Sequence, residues 1–445
     1  MNGDDTASAD VMTAPRHAAP VTGAERIASL DTLRGVAVLG ILVMNIYWFA
    51  MPQMAYGNPL AMGGTELHNL GTWFVTHILF DLKFMGIFAM LFGAGLVLMS
   101  RRAEERAAPF GRIYFRRQLS LLLIGAIHAY LIWSGDILFG YAAIGMAVYV
   151  FRNARPGTLV IASILLLSVT AAGMHGLSDL VEEMRDRAAE YTERQAGGEE
   201  LDAEQRRLIE QWERTRMFLA PGEEEKRRDL EAHLGSYADL LEYRVPQVIG
   251  MQQGMLLFYG WRIAGLMCLG MALMKLGILS AEKPTAFYRR LMLFGYGLGL
   301  PLTVFSGLDL YAHGFEPFYT MRHGMLANYV GSVIVALGHV GLVILILKTG
   351  FVRGLVARFA AVGRMALSNY LLHSVILTTV FYGYGLGLYG EVPRFWQMGF
   401  VVAVVGLQLV LSPWWLTRYR FGPVEWAWRS LTYWERQPMR RRAGA

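Results

Sequence analysis

Apolar runs of ~18 or more residues recur along this chain from residue 33 to residue 417, and each is long enough to cross a bilayer. In lipid every backbone N–H and C=O has to be satisfied within the spanning segment itself, which leaves helices or closed barrels. The alternating segments of ~10 residues that mark a barrel are absent. The reading is therefore an all-α, polytopic helical integral membrane protein with about ten transmembrane helices. Composition agrees: 54% of the 445 residues are hydrophobic and 17% are charged, against about a quarter charged in soluble chains. A single cysteine, Cys268, excludes an internal disulfide framework and a cysteine-based metal site.

The predicted spans are 33–50, 73–99, 118–133, 136–152, 157–174, 246–274, 289–308, 326–348, 363–382 and 396–417. The third and fourth are short and meet at Ser134-Gly135-Asp136, which reads as a tight turn at one membrane surface. Arginine and lysine set the orientation. Arg101, Arg102, Arg106, Arg112, Arg116 and Arg117 lie between spans two and three, and alternate connections after them stay basic. The opposite connections are nearly bare, with Arg322 and Arg394 alone in theirs. The positive-inside rule then places both termini in the cytoplasm. Residues 1–24 read as a disordered tail and 418–445 as a basic cytoplasmic tail. Residues 25–174 and 245–417 form two five-helix membrane halves. Between them, 175–244 carries 11 Lys/Arg and 19 Asp/Glu. That is a helical extracytoplasmic loop, either a lid or docking element or a solvated hairpin.

Ionisable groups inside spans are costly and mark sites by default. At 1.5 Å per residue, His128 lies roughly 16 Å from the inner surface, Lys83 about 15 Å from the outer one, and His373 roughly 13 Å deep. These three share one level on three helices. Asp81 and Lys83, two residues apart, do not share a helix face. Arg262 sits too deep to snorkel easily and suggests an anionic partner. Each also has a structural reading as a core hydrogen bond, an ion pair or helix–helix glue. Asp136 either orients an acceptor or caps the fourth helix. Trp133 is a belt residue or a stacking platform. The glycine-rich pieces 91–96, 294–300 and 382–388 lack the strand and GK[ST] of a phosphate loop and read as close helix contacts. No metal-ligand spacing occurs, so no metal is expected.

Residues 26–45, RIASLDTLRGVAVLGILVMN, place Asp31 and Arg34 on one face at the cytoplasmic mouth. They serve as an interface anchor, or as a grip for an incoming phosphate or carboxylate. This stretch resembles the opening signature of the YeiB-like membrane proteins, a family built on a domain of unknown function. LKFMGIFAMLFGAGL, LIGAIHAYLIWSGDILFGYA, GRMALSNYLLHSVILTTVFYGYGLG and FGPVEWAWRSLT follow it in the family's order. The opening D-x-x-R-G also resembles the wider transmembrane acyltransferase superfamily, which includes heparan-alpha-glucosaminide N-acetyltransferase and bacterial sugar O-acetyltransferases. The resemblance implies a cytosolic donor such as acetyl-CoA and an acceptor across or within the membrane. Many of those O-acetyltransferases carry a histidine eleven residues after the arginine, and here that position is Asn45.

The expectation is that His128 fills this vacancy as the base or nucleophile of acyl transfer, with Asp136 as a second catalytic candidate two helical turns away at best, beyond the 134–136 turn. Asp31, Arg34, Asn45, Lys83, Trp133, Arg262 and His373 are the expected substrate-binding residues. The expected partners are the lipid bilayer, a small-molecule donor and acceptor, and a second copy in a homo-oligomer; nucleic acid is not among them, because anionic lipid accounts for the basic face. Two other classes stay open: a transporter of a small anionic or lipidic solute, and a non-catalytic scaffold or sensor. A tunnel open near Arg34 and reaching His128 favours the enzyme, alternating halves about a sealed central site favour transport, and no cavity at all favours the scaffold.

Overall fold

The computed structural model describes residues 27–106 and 110–441; the tail expected at 1–24 lies outside them. The described residues are helical, with one isolated β-bridge between Tyr419 and Arg440. The principal helices are α1 (Ala28–Ala50), α2 (Leu67–Leu79), α3 (Lys83–Glu105), α4 (Phe110–Ile127), α5 (Leu138–Val148), α6 (Pro156–Ala196), α7 (Ala203–Leu219), α8 (Glu223–Leu234), α9 (Tyr237–Gly254), α10 (Gly260–Lys275), α11 (Thr285–Ala312), α12 (Met325–Thr349), α13 (Arg353–Arg364), α14 (Ala366–Phe381), α15 (Arg394–Arg418) and α16 (Pro423–Tyr433). Among the described residues, seven helical stretches are long and apolar enough to cross a membrane, and Leu138–Phe151 and Ala366–Phe381 are shorter apolar helices. Large apolar side chains such as Ile164, Leu165, Leu293, Phe305, Val402 and Val410 stand exposed on α6, α11 and α15. An apolar outer surface of that kind belongs in lipid.

Glycines bring the helices together. A methyl on Gly93 of α3 would sit 2.0 Å from the Met267 carbonyl oxygen of α10, and one on Gly270 would sit 1.9 Å from that of Met90. Gly35 and Gly363 do the same for α1 and α13, and Gly295 and Gly338 for α11 and α12. Gly93 of 91–96 and Gly295 and Gly299 of 294–300 thus permit close contact, as their placement inside spans suggests, whereas Gly95 and Gly297 meet nothing within 4 Å. Those of 382–388 lie in a loop instead, where Gly383 packs on the Leu234 carbonyl.

Two departures matter for function. The second predicted span is not one helix. It breaks between α2 and α3, where Leu82 takes a left-handed φ of 63°. The Ser134-Gly135-Asp136 turn is not an exposed one either: all three residues are buried, with Tyr370 of α14 donating to the Gly135 carbonyl. The charged region 175–244 is helical as read. α6, 41 residues long, runs about 60 Å, twice the hydrocarbon thickness, and so leaves the membrane without a turn. The region then docks: Arg322 pairs with Asp179 at 3.1 Å and also with Glu182, and Tyr389 donates to Asp229 at 2.7 Å.

Candidate functional site

The His128 constellation follows from an irregularity in α4. After Ile127 the chain widens into a π-turn, His128–Ile132, closed by Trp133 N–H donating to the His128 carbonyl at 2.8 Å. The extra residue per turn re-aims the chain, so that the following loop folds back beneath the imidazole. Asp136 Oδ2 then lies 2.6 Å from His128 Nδ1. On the other side, Ser374 Oγ of α14 lies 2.8 Å from His128 Nε2. An ionised carboxylate only accepts, so Nδ1 carries the proton and Nε2 is left to accept from the Ser374 hydroxyl. Asp136 Oδ1 also accepts from Phe139 N–H at 2.8 Å and caps α5. The cap and the contact with His128 therefore use the two oxygens of one carboxylate. The expectation that two helical turns separate it from His128 fails, because the π-turn and the buried loop reverse the chain. Gly125 makes room for the cap, since a methyl there would lie 2.4 Å from Phe139 N.

The histidine is 1% exposed and Ser374 0%. The Tyr370 ring lies 5.3 Å from the imidazole, centroid to centroid. Its hydroxyl accepts from Ile137 N–H at 3.3 Å and donates to the Gly135 carbonyl at 3.4 Å. Trp133 is no interfacial residue. It is 1% exposed, stacked on Phe49 at 4.0 Å, and its buried indole N–H meets no acceptor among the described residues.

On the other face of Tyr370 lies a cavity of about 240 Å³. Phe88, Phe92, Leu121 and Leu138 are among its apolar walls, with Tyr370. Arg34, Arg102, Arg117, Arg364 and Arg429 line it, with Asp31 and Glu425 the two carboxylates. Arg34 and Asp31 pair at 3.0 Å, and the Arg34 side chain is 33% exposed, at the mouth. Asp31 and Arg34 share one helix face, as expected, and both line this basic chamber. The cavity does not reach the imidazole: Tyr370 stands between them. α16 forms part of the wall. Glu425 accepts from Leu367 N–H at 2.7 Å and Ser368 N–H at 3.0 Å, which caps the helix that carries Ser374. Arg117 lies 3.6 Å over the Trp428 ring.

Other expected site residues are placed elsewhere. Lys83 donates to the His77 carbonyl and to Asn328 Oδ1, both at 2.6 Å, and Asn328 donates to Asp81 at 2.7 Å. The helix break lets Asp81 and Lys83 meet one partner despite their spacing, and this cluster is separate from His128. Arg262 donates to the Tyr329 carbonyl at 3.2 Å and to Ser332 Oγ at 2.8 Å, so its partners are neutral rather than a carboxylate. His373 turns away from Ser374 and lies 2.8 Å from Gln408 Oε1, a helix–helix contact. Asn45 is buried on α1, one turn before Phe49, with no hydrogen bond to His128. No group of three His, Cys, Asp or Glu among the described residues is arranged to hold a metal ion. Ser374 and Tyr370 were not singled out by the sequence, although both lie in the NYLLHS stretch.

Comparisons with known proteins place the chain. The model of a protein of unknown function, DUF418, matches residues 273–435. YxaH of Bacillus subtilis (strain 168) is 32% identical, with 94% of this chain and 97% of that protein aligned. YeiB of Escherichia coli (strain K12) is 31% identical over 92% and 96%. A 39.9 kDa protein from the amylase 3' region of Bacillus acidopullulyticus is 24% identical over 93% and 96%. No solved structure matches. A hydrogen-bonded Asp–His–Ser set in an all-α membrane fold, with relatives along nearly the whole chain, thus belongs to a member of the YeiB-like DUF418 family.

Proposed function

We propose that this protein is a bacterial cytoplasmic-membrane acyltransferase that moves an acyl group from a cytosolic thioester donor, such as acetyl-CoA, through Ser374. The observation that carries the reading is the buried set Asp136–His128–Ser374, at 2.6 and 2.8 Å. His128 Nε2 takes the hydroxyl proton as Ser374 Oγ attacks the donor carbonyl. The C–S bond breaks, and the thiolate leaves with the proton returned by the imidazolium. An acceptor hydroxyl or amine, deprotonated in turn by His128, then takes the acyl group from Ser374. Asp136 holds the tautomer. The Trp133 indole N–H is a spare donor for the developing oxyanion. Five arginines against two carboxylates in the cavity suit the phosphates of a nucleotide-linked donor. Tyr370 has to swing aside to admit the acyl group, a gating step of the kind that lids perform.

Thiol release from acetyl-CoA by the purified protein tests this. S374A and H128A should each abolish release while the protein still folds. Undiminished release by either variant sinks the assignment.

A transport reading has one observation in its favour: the helix break at Phe80–Leu82 beside buried Lys83, since discontinuous helices line transporter sites. Flux of an anion through proteoliposomes, lost in K83M and kept in S374A, would select it over acyl transfer.

A further inference from the structure

The π-turn that carries His128 is lashed to α9 at two points. Tyr237 donates to the Leu131 carbonyl at 2.7 Å, and Tyr130 donates to Gln252 Oε1 at 3.3 Å. Between them, on the inward face of α9, runs a buried stripe of Leu240, Arg244 and Val248. Arg244 lies seven residues past the first lashing point and eight before the second, about 10–12 Å from each along the helix.

Arg244 is 2% exposed, and both its Nη1 and Nη2 are buried without an acceptor among the described residues. Its guanidinium sits 6.0 Å from the Tyr382 ring centroid. A weak cation–π contact at that range is far from matching the cost of desolvating a cation. Gln252 Nε2, on the same helix, is a second buried donor without an acceptor. Asp229, which acts on the same Tyr382, is already engaged: its oxygens accept from Tyr389 at 2.7 Å and Tyr243 at 3.0 Å, with His233 Nδ1 at 3.1 Å. Two parallel N–H groups in one plane match two oxygens of one anion, the fork geometry that arginine offers and lysine does not.

We propose that Arg244 is the anchor of an anion site on the outer side of the His128 turn, which takes the carboxylate or phosphate of the acyl acceptor. The acceptor role rests on the acyl-transfer reading; the anion site itself does not. The ligand carries the anion at one end and the hydroxyl or amine to be acylated at the other. It reaches Ser374 from the side opposite the arginine-lined cavity. A lipid headgroup and a free solute share this chemistry.

The test is thermal unfolding of the full-length protein in maltoside micelles at constant ionic strength. Inorganic phosphate, acetate and short-chain phosphatidylglycerol are titrated separately into wild type, R244Q, R244K and H128A. The readout is the difference between wild type and each variant, so that anions held by the Arg34 cavity cancel. Phosphate, acetate or the lipid should raise the wild-type midpoint, with half-saturation shifted about tenfold or more in R244Q; the arm that responds names the source. H128A should keep the wild-type response, so a failed site is told apart from failed catalysis. If none of the anions shifts the wild type, or if R244Q responds as wild type does, the site is refuted. Should R244Q not fold, R244K decides: the planar fork is gone, so an unchanged response also overturns the proposal.

Discussion

Replacing Asp136 separates the two jobs its carboxylate performs. Oδ1 caps α5 through Phe139 N–H at 2.8 Å, and Oδ2 holds His128 Nδ1 at 2.6 Å. D136N keeps an oxygen for the cap, since asparagine serves there as well as aspartate. The amide NH2 then faces the imidazole, forces Nδ1 to accept, and moves the ring proton to Nε2. Ser374 then faces a donor instead of a base. The same substitution in serine-hydrolase triads costs about 10⁴ in rate, or about 5.4 kcal/mol of transition-state stabilisation. Stability should move by less than about 1 kcal/mol, the scale of the cap D136N keeps. D136A instead loses the cap, about 1 kcal/mol, and strands a buried imidazole N–H, about 1–3 kcal/mol. Its expected cost in stability is therefore roughly 2–4 kcal/mol. Thiol release from acetyl-CoA and thermal unfolding in detergent measure the two quantities independently. If D136N turned over at the wild-type rate, or D136A unfolded no earlier than D136N, the assignment of the two oxygens would be wrong.

Three further outcomes are expected. R34A should raise the half-saturating donor concentration about tenfold, the effect of one charge-assisted contact, with little change in the maximal rate; an unaltered concentration dependence rejects donor binding at the mouth. G93A should destabilise by about 1–3 kcal/mol, because its methyl would meet the Met267 carbonyl at 2.0 Å, while G95A, with nothing within 4 Å, should be silent in the same thermal scan. Burial holds the Glu425 carboxyl above its ordinary value of 4.5, against the opposing pull of the Ser368 and Leu367 donors. The folded chain therefore keeps a proton that the unfolded chain releases. The contribution of Glu425 to stability is full below 4.5 and is lost as pH rises through the raised value, at up to about 1.36 kcal/mol per pH unit. Unfolding free energies of wild type minus E425Q across pH check this, and a difference that grows with pH would mean that the donors outweigh burial.

The membrane class was legible because lipid imposes length and hydropathy on a span without regard to its neighbours. The recurrence of runs from residue 33 to residue 417 therefore needed no tertiary information. His128, Asp136, Asp31 and Arg34 were legible for a related reason: a charge in an apolar run stands out wherever it points. What escaped was set by local geometry and by helix rotation. Nothing in HAYLI announces a π-turn, and without it Asp136 cannot reach Nδ1. His373 and Ser374 are neighbours about 100° apart on α14, so only one can face His128. Packing of α14 against α15 turned His373 to Gln408 and Ser374 to the imidazole. The break at Leu82 escaped likewise, because Phe80 to Leu82 is as apolar as its flanks apart from one aspartate. Lys83 and His128 belong to separate hydrogen-bonded clusters, and depth was all that counting residues could supply.

The partition by Tyr370 bears on the order of events. The arginine-lined cavity is bordered by Tyr370 and Leu138, while α9 and its Arg244 approach the His128 turn through Tyr237 and Gln252. If His128 acted as base on an acceptor in direct attack, donor and acceptor would have to occupy one chamber at once. The Ser374 hydroxyl lies beyond that wall, one helical turn past Tyr370, and can serve each side in turn. The proposed acyl transfer then predicts two half-reactions through an acyl-Ser374, with the first free to run without acceptor. Mixing enzyme with acetyl-CoA alone should release about one equivalent of thiol in a burst, the signature of a covalent intermediate. The protein should gain the mass of one acyl group, and S374A should show neither. With an acceptor present, initial-rate plots at several fixed donor levels should run parallel. Intersecting lines, no burst and an unmodified chain, with turnover still lost in H128A, would remove Ser374 as the carrier and leave His128 acting on an acceptor that shares the donor's chamber.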